Sequence, residues 1–294
     1  MKIIDAHSHL WLKQDTVVDG SHIYPMGRGR AMFFGEERQM LPPFMLDGVN
    51  SAEIFLANMD YAQVGGAVVV QEVIDGNQDA YLLDVQKRYP DRFFVCALKD
   101  LDNDALTIPE GFRAIAVPGH RAHRSLLDPE VVAFFKEMEK RGLILSMCLA
   151  DDAEQIAQMR ELIQECPDLK IAIGHFGMVT GEHWMEQVRL ALAKNVYVES
   201  GGITWLYNSE FYPYPSAVAS IRKAADEVGM DKLMWGSDYP RTICAITYRM
   251  SYDFILKSDL LSAAEKEAFL GGNAEKFYGF TNLPELPYIK NMSE

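Results

Sequence analysis

Short apolar, β-branched runs alternate along the chain with amphipathic stretches. Eight runs predict strands, over 3–9, 66–72, 93–99, 114–118, 143–149, 170–175, 196–201 and 233–237. They are continuously apolar, as parallel strands buried on both faces are. Between them the apolar period lengthens to that of a helix. Asn50-x-x-Glu53 reads as a capping box opening a helix over 51–62. Asp128-Pro129 is an N-cap followed by proline at the first helical position, and Gly142 closes that helix. Val131, Phe134, Phe135 and Met138 form its inward face. Asp152 opens a helix with Ile156, Met159 and Ile163 inside, a helix over 215–228 stops at Gly229, and Ser262-x-x-Glu265 is a capping box opening the last helix.

Eight strands with interleaved helices predict an α/β fold, a (β/α)8 TIM barrel. A doubly wound sheet would carry a glycine-rich phosphate turn after its first strand. Here the first run ends in His7-Ser8-His9. No repeat or low-complexity linker divides residues 1–294, which read as a single domain. The segment 11–49 is long for a strand-to-helix connection and holds Gly27-Arg28-Gly29-Arg30 and Pro42-Pro43. It reads as a loop over the active-site face. The tail after Gly279, with Pro284 and Pro287, reads as packing outside the barrel.

Composition changes the picture by exclusion. At 49% hydrophobic and 24% charged, the 294 residues suit an ordinary globular protein. Lys plus Arg number 28 and Asp plus Glu 42, a net charge of −14. That surface repels phosphate backbones and anionic lipid, so neither nucleic acid nor membrane is an expected partner. A small anionic substrate held by local arginines stays open. Cys96, Cys148, Cys166 and Cys244 form no Cys-x-x-Cys pair and read as free thiols of a reducing compartment. With no apolar leader and no run of about 18 apolar residues, a cytoplasmic location is expected.

His7 and His9 are two apart on a strand, so both side chains face the same way. They stand at the C-terminal end of the first strand, where barrel active sites lie. His175 ends the sixth apolar run and Asp238 follows the eighth. In a closed barrel, strands eight and one are neighbours. Three imidazoles and one carboxylate suit one divalent ion, Zn2+ first and Mn2+ also. A water on such an ion is a nucleophile of lowered pKa, and Asp238 is the expected acceptor of its proton.

Asp5-Ala6-His7-Ser8-His9, Gly174-His175-Phe176-Gly177, Gly236-Ser237-Asp238-Tyr239-Pro240 and Gly272-Asn273-Ala274 together resemble the amidohydrolase superfamily, in its amidohydrolase-related (family 2) group. The resemblance implies a distorted barrel with a divalent metal at His7, His9, His175 and Asp238, and a homodimer. The group includes lactonases, hydratases and non-oxidative decarboxylases similar to aminocarboxymuconate semialdehyde decarboxylase. Two departures matter. Members with two metals bridge them with a carboxylated lysine or a glutamate on a middle strand, and 143–149 has neither, so one metal is expected. Some members carry a second catalytic histidine on the strand after His-Phe-Gly. The run 196–202 has none, leaving Glu199 or a histidine from elsewhere to substitute.

Pro118-Gly119-His120-Arg121-Ala122-His123-Arg124 follows the fourth strand. His120 is the candidate acid, base or polarising group. Arg121 and His123 are candidate contacts to a carboxylate. Arg241 is a candidate clamp for an anionic substrate, and Trp11 and Trp205 are candidate pocket walls. The leading expectation is a metal-dependent hydrolase of a small-molecule lactone or related cyclic ester or amide. The alternative is a metal-dependent decarboxylase of an unsaturated or aromatic acid. A metal-binding protein without catalysis is the third reading.

Overall fold

All eight apolar runs become parallel barrel strands in the computed structural model, which describes residues 1–292. They are Ile4–Ser8, Gly66–Val69, Phe93–Val95 with Ala97–Leu98, Ala114–Val117, Ile144–Met147, Lys170–Ile173, Val196–Glu199 and Leu233–Met234. The third strand is interrupted at Cys96. Its first half pairs with the second strand and its second half with the fourth, so it joins two sheets. The ring closes between the eighth and first strands. Ala6 N donates to Trp235 O at 2.9 Å, Asp238 N to His7 O at 2.9 Å, and His9 N to Tyr239 O at 2.8 Å. The first strand shifts register between Asp5 and Ser8, which distorts the barrel where its histidines emerge.

Alternation along each strand sorts the core into two layers. Ile4, Ala6, Val68, Phe94, Ala116 and Ala172 belong to the cluster that fills the barrel. Their sequence neighbours Ala67, Val69, Phe93, Ile115 and Ile171 pack outward under the helices. This two-sided burial is why the strands lack polar alternation. Phe277, Tyr278, Phe280 and Leu283 pack against the inner cluster. The tail thus closes the N-terminal end of the barrel from outside, leaving the C-terminal mouth for function.

The helices follow their caps. Asp128 accepts from Glu130 N ahead of Pro129–Lys140, and Asp152 accepts from Glu154 N and Gln155 N ahead of Ala153–Glu165. In the latter helix Leu162, rather than Ile163, completes the buried face. Pro215–Val228 ends at Gly229. The Ser262–Glu265 capping box forms, but its helix passes through a π turn at Ala268–Gly272 before Asn273–Tyr278. One cap is corrected. Ser51, not Asn50, caps Ala52–Tyr61, because the Asn50 side chain is drawn to His9 O at 2.6 Å.

The segment 11–49 is also corrected. It is no irregular loop but a four-stranded antiparallel sheet of Thr16–Val18, Ser21–Gly27, Arg30–Phe33 and Glu36–Gln39. Two-residue turns Asp19-Gly20, Arg28-Gly29 and Phe34-Gly35 join its strands, with positive φ at every turn residue. That is the type I′ geometry whose twist matches adjoining strands. The sheet does stand beside the mouth, anchored by Trp11 packed with Leu41 and Met45. Among the described residues no helix is long and apolar enough to cross a membrane.

Candidate metal centre and pocket

The first and eighth strands place His7, His9 and Asp238 together. Their candidate ligand atoms all lie within 4.8 Å of one another. His7 Nε2 is 3.2 Å from His9 Nε2, His9 Nε2 is 3.0 Å from Asp238 Oδ1, and His7 Nε2 is 3.7 Å from Asp238 Oδ1. The clamp beneath is Asp5. It accepts from His7 N at 3.1 Å, Ser237 N at 2.8 Å and the Tyr248 hydroxyl at 2.7 Å, tying the two strands together. Burial pushes its carboxyl up to about 6. Asp238 sits at φ +60°, a conformation rarely adopted outside glycine and typical of functional turns.

His175 joins from the sixth strand, its ring centroid 4.6 Å from that of His7. It lies outside the tight group of three but on the same pocket. His175 Nδ1 bonds Gly201 O at 2.9 Å, which leaves Nε2 free to take a ligand. His175 and Phe176 both have positive φ, so the chain turns sharply as it leaves the strand.

Behind the imidazoles stand carboxylates. Glu199 Oε1 is 2.7 Å from His7 Nδ1 and also accepts from His175 N at 3.1 Å. Its other oxygen accepts from Gly201 N at 2.5 Å. A Cβ at Gly236 would meet Glu199 Oε2 and His7 Cβ, both at 2.7 Å, so glycine is required where this pair packs. Burial alone would lower the His7 pKa, but the adjacent Glu199 charge and hydrogen bond outweigh it and lift it to about 9. The same field favours any positive charge there. Burial works to raise the Asp238 pKa, yet the His9 hydrogen bond and the neighbouring imidazoles hold it well below the usual carboxylate range. Burial lowers the His175 pKa.

Two residues of this shell were not foreseen. Asp75 Oδ2 is 3.5 Å from His9 Nδ1, an atom buried without a hydrogen-bond partner. Asp75 Oδ1 accepts from the buried Gln14 side chain at 2.9 Å. Asp75 lies in a short 3-10 turn after the second strand, and Gln14 leads into the antiparallel sheet. Neither position has a motif or apolar register that announces it.

A cavity of about 370 Å³ opens over the cluster. Trp11, His120, Arg121, Trp205 and Arg241 line it. Trp11 donates its indole N–H to Gly48 O at 2.9 Å, which fixes it as a wall. The Trp205 indole N–H donates to Asp238 Oδ2 at 2.6 Å. His120 Nε2 is 3.2 Å from Glu72 Oε2, and Arg121 Nε is 2.9 Å from Glu72 Oε1. Loss of solvent around His120 lowers its pKa. Arg241 stacks over the Trp205 ring at 4.0 Å. His123 is a correction. Both His120 and His123 keep solvent exposure, but His120 lines the cavity over the cluster, while His123 lines a neighbouring surface cleft and gives its backbone N–H to Asp102 at 2.8 Å.

The family model described as Amidohydrolase matches residues 4–280. The uncharacterized protein y4mH of Sinorhizobium fredii (strain NBRC 101917 / NGR234) is 30% identical over 161 residues, 51% of this chain and 52% of the relative. The chain thus spans about half the length of the curated relative it matches. Solved structures share the fold. An amidohydrolase from Burkholderia multivorans with bound zinc has a TM-score of 0.71 at 17% identity, covering 97% of this chain and 100% of that one. A probable 2-pyrone-4,6-dicarboxylic acid hydrolase from Acinetobacter baumannii with citric acid bound has a TM-score of 0.69 at 18% identity, covering 95% and 100%. The 5-carboxyvanillate decarboxylase of Sphingomonas paucimobilis has a TM-score of 0.64 at 15% identity, covering 95% and 99%.

Proposed function

The chain belongs to the amidohydrolase family, and from that premise we propose that it is a metal-dependent hydrolase of a small carbonyl substrate, a lactone or related cyclic ester or amide. The observation that carries this reading is the convergence of His7, His9 and Asp238 beneath an open cavity. The residues fit a cation. Two imidazole Nε2 atoms and a carboxylate oxygen converge, while Glu199 and Asp75 stand behind the Nδ1 atoms of His7 and His9. A carboxylate hydrogen-bonded there, as Glu199 is to His7, fixes the tautomer of a ligating histidine and raises its basicity. His175 is the fourth proposed ligand. The set suits Zn2+ first and Mn2+ also.

A divalent cation bound there supplies Lewis acidity toward a carbonyl oxygen and lowers the pKa of a water. The rest is done by side chains. Asp238 stays ionised, with Oδ2 fixed by the Trp205 N–H. It takes the proton of the attacking water and returns it to the leaving oxygen or nitrogen. His120, neutral near pH 7, hydrogen-bonds the substrate across the mouth. Trp11 and Trp205 keep bulk water off the reacting carbonyl. Glu199 touches no substrate; it takes the place of the absent second histidine only by holding His7. The four free cysteines support a reducing, cytoplasmic setting. The single-domain, homodimeric organisation is part of the same proposal and rests on the resemblance.

Decarboxylation of an unsaturated or aromatic acid is the second reading, favoured by the open Arg241 guanidinium at the rim. Mass spectrometry of a mixed lactone and carboxylate library decides between them. With metal-loaded protein, and not with a His7→Ala/His9→Ala control, products heavier by about 18 Da mean addition of water. Products lighter by about 44 Da mean loss of carbon dioxide, and the hydrolase reading falls.

A further inference from the structure

The cavity has two unlike ends. We infer that its ligand carries a single carboxylate, held by Arg241, on a small apolar ring whose far end offers a neutral hydrogen-bond donor. The inference rests on the reading of this cavity as the substrate site and adds the chemical class of the substrate.

At about 370 Å³ the cavity is at the small end of ligand pockets. Val70, Ile74, Val117, Leu149, Met178 and Trp205 give it largely apolar walls, which suit one ring rather than an extended polar chain. Two arginines line it, and they are not equivalent. Arg121 is spent. Its Nε is 2.9 Å from Glu72 Oε1, its guanidinium lies 5.5 Å from the Phe34 ring, and the second Glu72 oxygen is 3.2 Å from His120 Nε2. A ligand carboxylate arriving at this end meets the Glu72 charge as well as Arg121, and the two cancel. A hydroxyl or amino group meets acceptors there instead.

Arg241 follows the eighth strand, and Arg121 follows the fourth. In an eight-stranded ring these stand across the mouth from each other, with the His7, His9 and Asp238 cluster on the Arg241 side. Arg241 has no carboxylate within ion-pair distance among the described residues. Its guanidinium is laid flat on the Trp205 indole at 4.0 Å. Stacking holds the planar fork in place and leaves its N–H donors open to two carboxylate oxygens. The same indole gives its N–H to Asp238 Oδ2, so Trp205 sets the anchor and the proposed proton acceptor in one frame. The geometry separates this pocket from one built for a dicarboxylate, which would need a second free cation at the far end.

Calorimetry on the metal-loaded full chain, with benzoate, 3-hydroxybenzoate and isophthalate as probes, tests this without turnover. The expected order is 3-hydroxybenzoate tightest, then benzoate, with isophthalate at least tenfold weaker than benzoate. Arg241→Met should weaken benzoate by at least tenfold. Glu72→Gln should release Arg121 and tighten isophthalate by at least tenfold. Isophthalate matching benzoate in the unaltered protein overturns the inference. So does benzoate affinity that survives Arg241→Met but falls on metal removal, since the carboxylate then sits on the metal. Absence of benzoate binding at millimolar concentration overturns it as well. Failure of the hydrolase reading would appear separately, as the wrong product mass.

Discussion

Asp238 serves two partners with two oxygens, one toward the histidines and one toward the Trp205 N–H. Asp238→Asn keeps the shape and removes the proton acceptor. The account predicts a kcat loss of about 10²–10⁴-fold with most of the metal affinity kept; metal content measured beside the rate checks both parts. Glu199→Gln acts differently, because Glu199 meets only His7 and backbone N–H groups. It should weaken metal affinity by about 10–100-fold, read by chelator competition. That His7, His9, His175 and Asp238 share the mouth was legible because each ends or follows an apolar run, and strand geometry then aims it there; their role as ligands is the proposal. His123 was misjudged because the 3-10 turn after Pro118 leaves His120 on the cavity and carries His123 on to a neighbouring cleft. Asp75 was illegible. Its partners His9 and Gln14 are more than sixty residues away, and its own segment has no period.

Among the elements, periodicity was read most faithfully where burial is two-sided. The eight strands and the helices capped by Asp128 and Asp152 follow their apolar spacing and caps. Asn50 shows the limit of a local motif. It has the residue type of a cap, but a tertiary hydrogen bond to His9 O claims its side chain, and Ser51 takes over. The antiparallel sheet was missed because its strands are half exposed and short, with Glu36–Gln39 exposed throughout. The signal was in the turns: Asp19-Gly20 between Val18 and Ser21 is the dipeptide that two-residue hairpins favour. A cap substitution separates fold from site. Asp152→Ala removes the acceptor for two backbone N–H groups and should cost about 1 kcal/mol in chemical denaturation. Because Asp152 makes no contact with the metal cluster, activity below the melting transition should stay within twofold.

For the whole molecule, the closed ring gives the site its rigidity and the carboxylate excess gives its pH response. Glu53 pairs with Arg88 across two helices, and Glu265 pairs with Arg222 while closing its capping box. The Arg88 hydrogen bond holds Glu53, and the Arg222 hydrogen bond holds Glu265, at about 2, against an ordinary value of 4.5. A carboxylate with a lowered folded pKa stabilises fully above its unfolded value and loses that contribution as pH falls through the folded one. Both pairs therefore support the fold at neutral pH and weaken between about 4.5 and 2. The first pair is exposed and the second is only half-buried, so each contributes little. The double variant Glu53→Gln/Glu265→Gln should show a shallower fall of the urea midpoint across that window, with the difference greatest at neutral pH. An unchanged slope would remove these pairs from the account.

The central claim is that His7, His9 and Asp238, with His175, hold one divalent cation at the mouth of this barrel. Calorimetric titration of the chelator-treated full chain with Zn2+ tests it most directly, beside a His7→Ala/His9→Ala variant whose fold is checked by circular dichroism. The account predicts one equivalent of zinc per chain, with affinity lost in the folded variant. Equal zinc binding by both proteins, or none by the unaltered chain, would contradict it.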